Sequence, residues 1–334
     1  MSRFNELTDI FNGRQYFKIV CGAGNEDAEE VRKLSLVYTL AGAYGIDVSA
    51  NVDVVKASVE GVNKAFELAP KFGKKLSTRP FINVSIGMRG DPHIRKARID
   101  PQACTNCGAC LEYCLQNAIS DELQVIEKRC IGCGECGRVC PTNAVSFFDK
   151  RAGLSRILPE CLKHGTETFE LHAIIPDDES VMADWKMVAG ILKDNYISMC
   201  LDRSQLSDAH LVRRIRAASE ITDGRMIVQA DGVPMSGGKD DFNTTLQAVA
   251  ISDVVAKNKL PVKILASGGT NSRTGELLKL CGVGVHGVSI GTFARKLVAE
   301  QTGHKDFDHD LDLIKQAVNM AEKLVKQNLE AIRG

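Results

Sequence analysis

Two runs of closely spaced cysteines constrain this chain more than any other feature of its sequence. Each run follows the spacing C-x2-C-x2-C-x3-C, and the second begins 26 residues after the first. Gly108 matches Gly134 and Asn117 matches Asn143 at the same separation, so the segment is an internal duplication. The cysteines are Cys104, Cys107, Cys110 and Cys114 in the first run, and Cys130, Cys133, Cys136 and Cys140 in the second.

This spacing is typical of ligands to iron–sulfur clusters, because two intervening residues let successive thiolates point at one cubane, and thiolates are soft ligands. It resembles the bacterial two-cluster ferredoxins, in which the fourth cysteine of each run binds the other cluster. The resemblance implies one [4Fe–4S] cluster on Cys104, Cys107, Cys110 and Cys140, and a second on Cys130, Cys133, Cys136 and Cys114. The second run ends in Cys140 followed by Pro141, as the pattern expects, whereas the first run ends in Cys114 followed by Leu115. Structural zinc is the alternative, but it is usually bound by separated C-x2-C pairs.

The composition favours metal over disulfides as the use of these cysteines. Disulfides persist in oxidising compartments, and the first six residues lack the apolar segment of a secretory signal. The 42 basic and 42 acidic side chains cancel, so no long-range field recruits nucleic acid or anionic lipid. No apolar run approaches the roughly 18 to 20 residues that cross a bilayer. We therefore expect a cytoplasmic protein with no nucleic-acid partner and no membrane insertion.

Elsewhere in the chain, short apolar runs alternate with segments of helical period. The runs are 17–21, 45–49, 81–86, 169–175, 196–201, 225–230, 262–266 and 287–290, and the helical segments are 27–43, 52–68, 159–165, 180–194, 207–221, 243–258, 273–281 and 292–301. Eight strand–helix units predict a (β/α)8 TIM-type barrel, with a doubly wound open sheet as the alternative. Asp308 is predicted to cap a further long helix with one apolar face.

One connection is much longer than the others. About 80 residues separate the third run from the fourth, and all eight clustered cysteines lie in it. We predict a ferredoxin-like insert at 89–150 between barrel parts 1–88 and 151–305, with a C-terminal helix at 306–334. An insert that leaves after the third strand, at Gly87 and Met88, emerges at the same end as the loops after strands seven and eight. The clusters would then lie over the ligand-binding end of the barrel.

Glycine-rich turns follow the last two predicted strands, at the position where barrels bind phosphate. The candidate residues are Ser267, Gly268, Gly269, Thr270, Ile290, Gly291 and Thr292. The pattern resembles the phosphate site of FMN-binding barrels, and the alternative is that these glycines only form tight turns. Arg273, Arg295 and Lys239 are candidates to neutralise the phosphate. The Gly-rich loop 231–238 is a candidate lid.

Polar residues within apolar strands are a further indication of a ligand at the barrel end. They are Lys18, Asp47, Asn83, His172, Asp202, Gln229, Asp231 and Lys263, and each of them alone fits a structural role better than a catalytic one. Four other cysteines, Cys21, Cys161, Cys200 and Cys281, carry no metal-binding spacing. Cys21 and Cys200 end predicted strands, where a small buried hydrophobe is the expected role. No catalytic residue is assigned from the sequence.

Several motifs together resemble the light-dependent period protein A family. They are residues 17–23, 36–43 with 46–48, the paired cysteine runs, 231–232 with 234–237, and 268–271, so the match covers most of the chain. The resemblance implies cluster binding and redox sensing.

Three functional hypotheses follow. The first is an iron–sulfur electron carrier or redox sensor that acts with a redox protein partner. The second is an oxidoreductase in which the clusters feed FMN, or another phosphorylated ligand, at the barrel mouth. The third is the electron-transfer subunit of a larger reductase complex.

Overall fold

The computed structural model describes residues 2–87, 94–150, 153–233 and 240–334. Its strands are β1 Tyr16–Val20, β2 Gly45–Ser49, β3 Phe81–Ile86, β4 Arg95–Ile99, β5 Val145–Asp149, β6 Thr168–His172, β7 Ile197–Leu201, β8 Met226–Asp231, β9 Lys263–Ser267 and β10 Gly287–Ile290. Parallel pairing in the order β1-β10-β9-β8-β7-β6-β3-β2 closes a barrel, and β4 pairs only with β5. The predicted eight-stranded barrel is therefore confirmed, and the open sheet is excluded.

The helices follow the strands in the alternation that the sequence predicts. They are α1 Arg3–Asn12, α2 Ala28–Leu40, α3 Val52–Leu68, α4 Ala109–Tyr113, α5 Glu135–Val139, α6 Leu154–Lys163, α7 Asp178–Ile191, α8 Asp208–Thr222, α9 Phe242–Lys257, α10 Thr274–Leu280, α11 Thr292–Leu297, α12 Ala299–Gly303 and α13 Leu311–Arg333.

Two predicted helix starts were wrong. Proline is favourable in the first turn of a helix, because the backbone N–H that it lacks would have no partner within the helix there. Helix α6 nevertheless begins five residues before Pro159 and continues through it. The earlier start buries Leu154 on the same helix as Leu158 and Cys161. Burial of this apolar face explains why α6 begins before the proline. Asp308 does not cap the last helix, because its carboxylate forms an ion pair with Arg32 at 2.6 Å. The cap of α13 is Asp310, whose side chain accepts from two backbone N–H groups.

The barrel interior is apolar at one end and polar at the other. Helix α1, which the sequence analysis missed, closes the amino end of the strands: Leu7 and Phe11 pack with Tyr16, Phe81 and Tyr196. Alternate residues further along each strand point outward and pack under the helices, because successive side chains of a strand face opposite sides. The inward positions towards the carboxyl ends are polar, which leaves that end of the barrel for a ligand.

Between β3 and β6, residues 94–150 form a separate small unit, here called the cysteine segment. Strands β4 and β5 pair antiparallel in the register Ile99 with Val145. Helices α4 and α5 contact each other beside this ribbon. Six of the buried apolar residues of the unit form one cluster, which is Ala97, Cys110, Ala118, Ile119, Cys130 and Cys136.

The cysteine segment is fastened to the loop that follows β1. The buried ammonium of Lys96 donates to the carbonyl oxygens of Gly24, at 2.6 Å, and Cys130, at 2.7 Å. The backbone N–H of Glu26 donates to the carbonyl of Lys128 at 2.6 Å. Since the loop after β1 leaves the carboxyl end of the barrel, these contacts hold the cysteine segment against that end.

Candidate functional site

The eight clustered cysteines divide between two cavities. One cavity is bordered by the first sulfur set, which is Cys104, Cys107, Cys110 and Cys140. The other is bordered by the second sulfur set, which is Cys114, Cys130, Cys133 and Cys136. Each set takes three cysteines from one run and the last cysteine of the other run. Each half of the duplication therefore contributes one cysteine to the set of the other half.

Electrostatic effects between the thiols follow the same division. Burial is the largest cause that raises the pKa of Cys136 to about 11, and the other three members of the second sulfur set contribute. Burial likewise raises the pKa of Cys110, with contributions from the other three members of the first sulfur set. Four thiolates around one cavity repel each other unless a cationic group lies between them. Each donor set therefore fits a metal cluster, which thiolates bind.

Backbone N–H groups point at the sulfur atoms. The N–H of Ala144 donates to Cys140 Sγ at 3.2 Å, and the N–H of Ala118 donates to Cys114 Sγ at 3.3 Å, so the two halves repeat this contact. Burial opposes the ionisation of Cys140, but donation from the N–H groups of Thr142 and Ala144 outweighs it and lowers the pKa of this thiol. Hydrogen bonds to the charged form favour the thiolate, which is the form that binds metal.

A cavity of about 320 Å³, here called the mouth cavity, lies between the barrel end and the cysteine segment. Its barrel side is formed by ends of several strands, and its other side includes Leu115, Gln116, Ile131 and Cys133. Its volume lies at the lower end of the range for small-molecule sites. Cys133 borders both this cavity and the cavity of the second sulfur set, so the two are adjacent.

Most of the predicted phosphate-binding residues lie at the mouth cavity. Those that line it are Ser267, Gly268, Thr270, Gly291 and Thr292. Ile290 does not, because its neighbour Ser289 points inward and the alternation of the strand sends Ile290 into the core. Gly269 is also absent from the lining and occupies the turn with a positive φ of 69°.

Among the described residues, Arg295 is the arginine or lysine that lines the mouth cavity. Its guanidinium is buried and donates through Nη1 to Gln116 Oε1 at 2.6 Å, while its Nε has no partner within the described ranges. Arg273 lies elsewhere on the surface, paired with Glu276 at 3.0 Å. Lys239, the candidate lid residues 234–238 and Met88 lie outside the described residues.

The polar strand residues separate into four groups. Asp47, His172 and Asp231 line the mouth cavity. Lys263 lies at the opposite end of the barrel, where its ammonium donates to Asn12 Oδ1 at 2.7 Å. Asp202 accepts from the backbone N–H of Ser204 at 2.8 Å, which is a structural role. The remaining members, Lys18, Asn83 and Gln229, are buried and hydrogen-bonded inside the barrel.

Glu170 was missed by the sequence analysis and completes the floor of the mouth cavity. Its Oε2 forms an ion pair with Lys18 Nζ at 2.5 Å, and Lys18 Nζ lies 4.0 Å from Asp47 Oδ1. Burial raises the pKa of Glu170, but Lys18 and His172 together outweigh burial and hold this pKa below its usual value. Burial raises the pKa of Asp47 to about 6. The signal for Glu170 was its position two residues before His172, which puts both side chains on one face of a strand.

The four unclustered cysteines are in different environments. Cys21 and Cys161 are fully buried, and Cys281 is exposed. Cys200 is fully buried and its thiol donates to Asp231 Oδ2 at 2.7 Å. Burial, followed by the neighbouring carboxylate of Asp231, raises the pKa of this thiol.

Two family models match the chain. Residues 161–327 match the light dependent period A C-terminal domain, and residues 123–146 match a 4Fe-4S binding domain. The chain is 28% identical to Light dependent period A of Synechococcus elongatus, over 96% of this chain and 92% of that protein. The 4Fe-4S match contains the second cysteine run.

Solved structures with similar backbones have low sequence identity to this chain. The tryptophan synthase alpha subunit of Legionella pneumophila superposes with a TM-score of 0.49 at 11% identity, covering 99% of this chain and 98% of that one. The YdjI aldolase of Escherichia coli K12 superposes with a TM-score of 0.43 at 9% identity, covering 97% and 92%.

Among the described helices, none combines the length and the apolar character that a bilayer crossing requires.

Proposed function

The chain belongs to the light dependent period A C-terminal domain family and carries a 4Fe-4S binding motif, and from that premise we propose that it is an electron-transfer protein with two [4Fe–4S] clusters. One cluster is held by the first sulfur set and the other by the second sulfur set. The electrons pass between a redox protein partner and a ligand in the mouth cavity.

The observation that carries this proposal is the division of the eight cysteines into two crossed sets of four. A single cluster would leave one set of four thiols without a metal, although both sets have the same spacing and equivalent N–H donors to sulfur. When bound, each cluster supplies a one-electron redox centre whose potential depends on hydrogen bonds to sulfur and on burial. The chain contributes the thiolates, the N–H donors and the exclusion of water. Thiolate ligands of this kind are stable in a reducing compartment, which supports a cytoplasmic location.

The position of Cys133 supports a route for electrons to the barrel. This ligand of the second sulfur set also borders the mouth cavity. Each sulfur set has one exposed cysteine, Cys107 in the first and Cys133 in the second. Cys133 borders the mouth cavity, whereas Cys107 borders only the cavity of its own set. This difference favours the first sulfur set as the contact side for a protein partner. The two sets would then form a chain from a surface partner to the ligand, and Arg295 with Gln116 bridges the barrel and the cysteine segment beside it.

A second candidate function is an FMN-dependent oxidoreductase. It is favoured by the lining of the mouth cavity, where Ser267, Gly268, Gly291 and Thr292 lie with buried Arg295 in one site next to Cys133. The unpartnered Nε of Arg295 is a donor suited to a phosphate oxygen, within the part of the chain that the structure describes. Thr270 also lines this site, Gly269 forms the turn before it, and Ile290 contributes only the strand end that leads into Gly291. FMN, if bound, would couple one-electron clusters to two-electron chemistry.

Iron and sulfide analysis of the anaerobically purified protein tests the cluster assignment. We expect about eight iron atoms per chain, as two [4Fe–4S] clusters require. Replacing Cys107 with Ala should remove about half of the iron, and so should replacing Cys133. Cys281→Ala, which changes an exposed cysteine outside both sets, should leave the iron content unchanged. Four iron atoms in the wild type, or no loss in either variant, contradicts two clusters.

Mass spectrometry of the small molecules released on denaturation separates the two candidate functions. FMN at one molecule per chain, lost in Gly291→Glu, supports the oxidoreductase. A protein that keeps its iron and releases no phosphorylated compound supports electron transfer between proteins only.

A further inference from the structure

Three side chains of types that bind metals lie together at the barrel end of the mouth cavity, separate from both sulfur sets, and two of them, Glu170 and His172, line this cavity. Glu170, His172 and Cys200 each offer one ligand atom, and these atoms all lie within 4.8 Å of one another. All three side chains are buried. They come from the neighbouring strands β6 and β7, where His172 pairs in register with Cys200. Two rigid strands therefore hold the three atoms together.

The carboxylate of Glu170 has an oxygen that faces this group. Its Oε2 is held by Lys18, whereas Oε1 lies 3.4 Å from His172 Nε2. The ion pair with Lys18 thus fixes the carboxylate and leaves Oε1 directed at the imidazole. A metal ligand oriented by a second hydrogen bond is the arrangement that metal sites use.

Asp231 provides an independent indication of a missing cation. Its Oδ2 accepts from the Cys200 thiol at 2.7 Å, and its Oδ1 is buried without a hydrogen-bond partner in the described part of the chain. Asp231 is only 6% exposed and lines the mouth cavity. A buried carboxylate oxygen is costly unless a donor or a cation satisfies it.

The charges around the floor favour a cation as well. The carboxyl groups of Asp47, Glu170 and Asp231 are all buried, and the buried ammonium of Lys18 lies beside Asp47 and Glu170. If all three carboxyl groups were ionised, one ammonium would leave two negative charges in a region that excludes water, and a Cys200 thiolate would add a third. A divalent ion would offset two of these three charges.

We propose that Glu170, His172 and Cys200 bind a divalent transition-metal ion of the Zn²⁺ type at the barrel end of the mouth cavity. The donors are one carboxylate oxygen, one imidazole nitrogen and one thiolate sulfur, which is a ligand combination suited to zinc. Binding releases the thiol proton of Cys200, which Asp231 already accepts as a hydrogen bond, and that proton passes to solvent. Three protein ligands leave one position open towards the mouth cavity, where a ligand oxygen can bind.

Metal analysis of the complete protein tests this site. The anaerobically purified protein is incubated with Zn²⁺, separated from free metal, and analysed for zinc and iron. We expect about one zinc per chain, reduced about tenfold or more in Cys200→Ser and in His172→Gln. Iron content should not change in either variant. Cys161→Ser is the matched control, because Cys161 is also fully buried but lies in α6 outside this group.

X-ray absorption at the zinc edge of the wild type tests the site without any variant that might fold poorly. We expect one sulfur at about 2.3 Å and nitrogen or oxygen atoms at about 2.0 to 2.2 Å. Zinc retained in both variants, a shell of three or four sulfurs, or no bound metal beyond the clusters overturns it.

Discussion

The barrel is held by a continuous apolar core, whereas the cysteine segment surrounds two cavities lined with thiols. Fully buried aromatic side chains such as Phe17, Tyr38 and Trp185 fill the space between the barrel and its helices. Among the described residues, the buried cluster of the cysteine segment has six members, and three of these are cysteines. A core of that size cannot stabilise a fold by apolar burial alone. The two regions therefore depend on different sources of stability.

The two regions also differ in what they contribute to the candidate site. The barrel supplies a rigid end on which polar side chains are placed, and the cysteine segment covers that end. Contacts through Lys96 and Arg295 join them. Removal of metal should therefore unfold the cysteine segment and leave the barrel folded. A substitution in the apolar core should destabilise the barrel, and a substitution at the contacts should weaken the attachment of the cysteine segment to the barrel.

Removal of the metal should have the largest effect and should be confined to the cysteine segment. After treatment with an iron chelator, we expect amide protection to be lost in β4 and β5, because metal binding and folding are coupled in small metal-binding units. The barrel strands β1 and β8 should keep their protection. Hydrogen exchange with mass spectrometry measures both regions in one experiment. Reconstitution with iron and sulfide is the control, and equal protection of β4 and β5 with and without metal contradicts the comparison.

A cavity in the barrel core should have the opposite pattern. Phe17 is fully buried and stacks on Tyr38 with ring centroids 6.2 Å apart. We expect Phe17→Ala to lower the free energy of unfolding by about 3 to 5 kcal/mol, with no loss of iron. Urea unfolding followed by the fluorescence of Trp185, the one tryptophan in the sequence, reports the barrel.

Leu280→Ala is the control for this substitution, because Leu280 is 69% exposed. It should change the free energy of unfolding by less than about 0.5 kcal/mol. If Phe17→Ala instead lost iron in proportion to its loss of stability, the two regions would share one source of stability.

The contact between the regions should have an intermediate effect. Lys96→Met leaves the carbonyl oxygens of Gly24 and Cys130 without their buried donor. We expect a loss of about 2 to 3 kcal/mol, since hydrogen bonds to charged groups contribute more than neutral ones. Urea unfolding of the holoprotein measures it, and limited proteolysis should show faster cleavage of the cysteine segment.

Lys128→Met is the control for the contact, because the Lys128 side chain is 58% exposed and lies 3.9 Å from Asp27. Exposed ion pairs contribute little, so its effect should be below about 1 kcal/mol. Equal effects of the two substitutions would mean that the buried ammonium is not what fastens the segment.

The sequence predicted the barrel because its strands are apolar runs of the right number and spacing. It missed α1, since that helix is recognised by what it covers, the apolar amino ends of strands far apart in the chain. It also misplaced the start of α6, because a proline that favours a helix start is tolerated further inside when a buried face extends upstream. Burial decided both cases, and burial depends on tertiary contacts.

The candidate site was predicted in part. Turn residues such as Gly268 and Thr292 line the mouth cavity because glycine-rich turns at strand ends have a fixed place in a barrel. The role of Gln116 could not be predicted, since its contact with Arg295 links residues 179 positions apart. Nor did Cys200 carry a spacing signal: its neighbours Glu170 and Asp231 come from adjacent strands, and the pairing register brings them together.

The smallest effect should come from His286, at the amino end of the barrel and away from both sulfur sets. Burial, with the nearby charges of Lys263 and Arg14, lowers the pKa of His286 to about 4. Its Nδ1 accepts from the backbone N–H of Ile264 at 3.0 Å, which requires the neutral ring on that side. The unfolded chain binds a proton at about pH 6.5, whereas the folded barrel binds it only near pH 4.

The stability that neutral His286 contributes is therefore present above about pH 6.5 and is lost as the pH falls through about 4. We expect His286→Gln to reduce the difference in free energy of unfolding between pH 7 and pH 4.5 by about 1 kcal/mol, discounted because the ring is partly exposed. His309→Gln, at an exposed histidine, is the control. Trp185 fluorescence restricts the measurement to the barrel, so acid lability of the cysteine segment does not enter. An unchanged pH dependence in His286→Gln would mean that groups of the barrel other than His286 cause its loss of stability in acid.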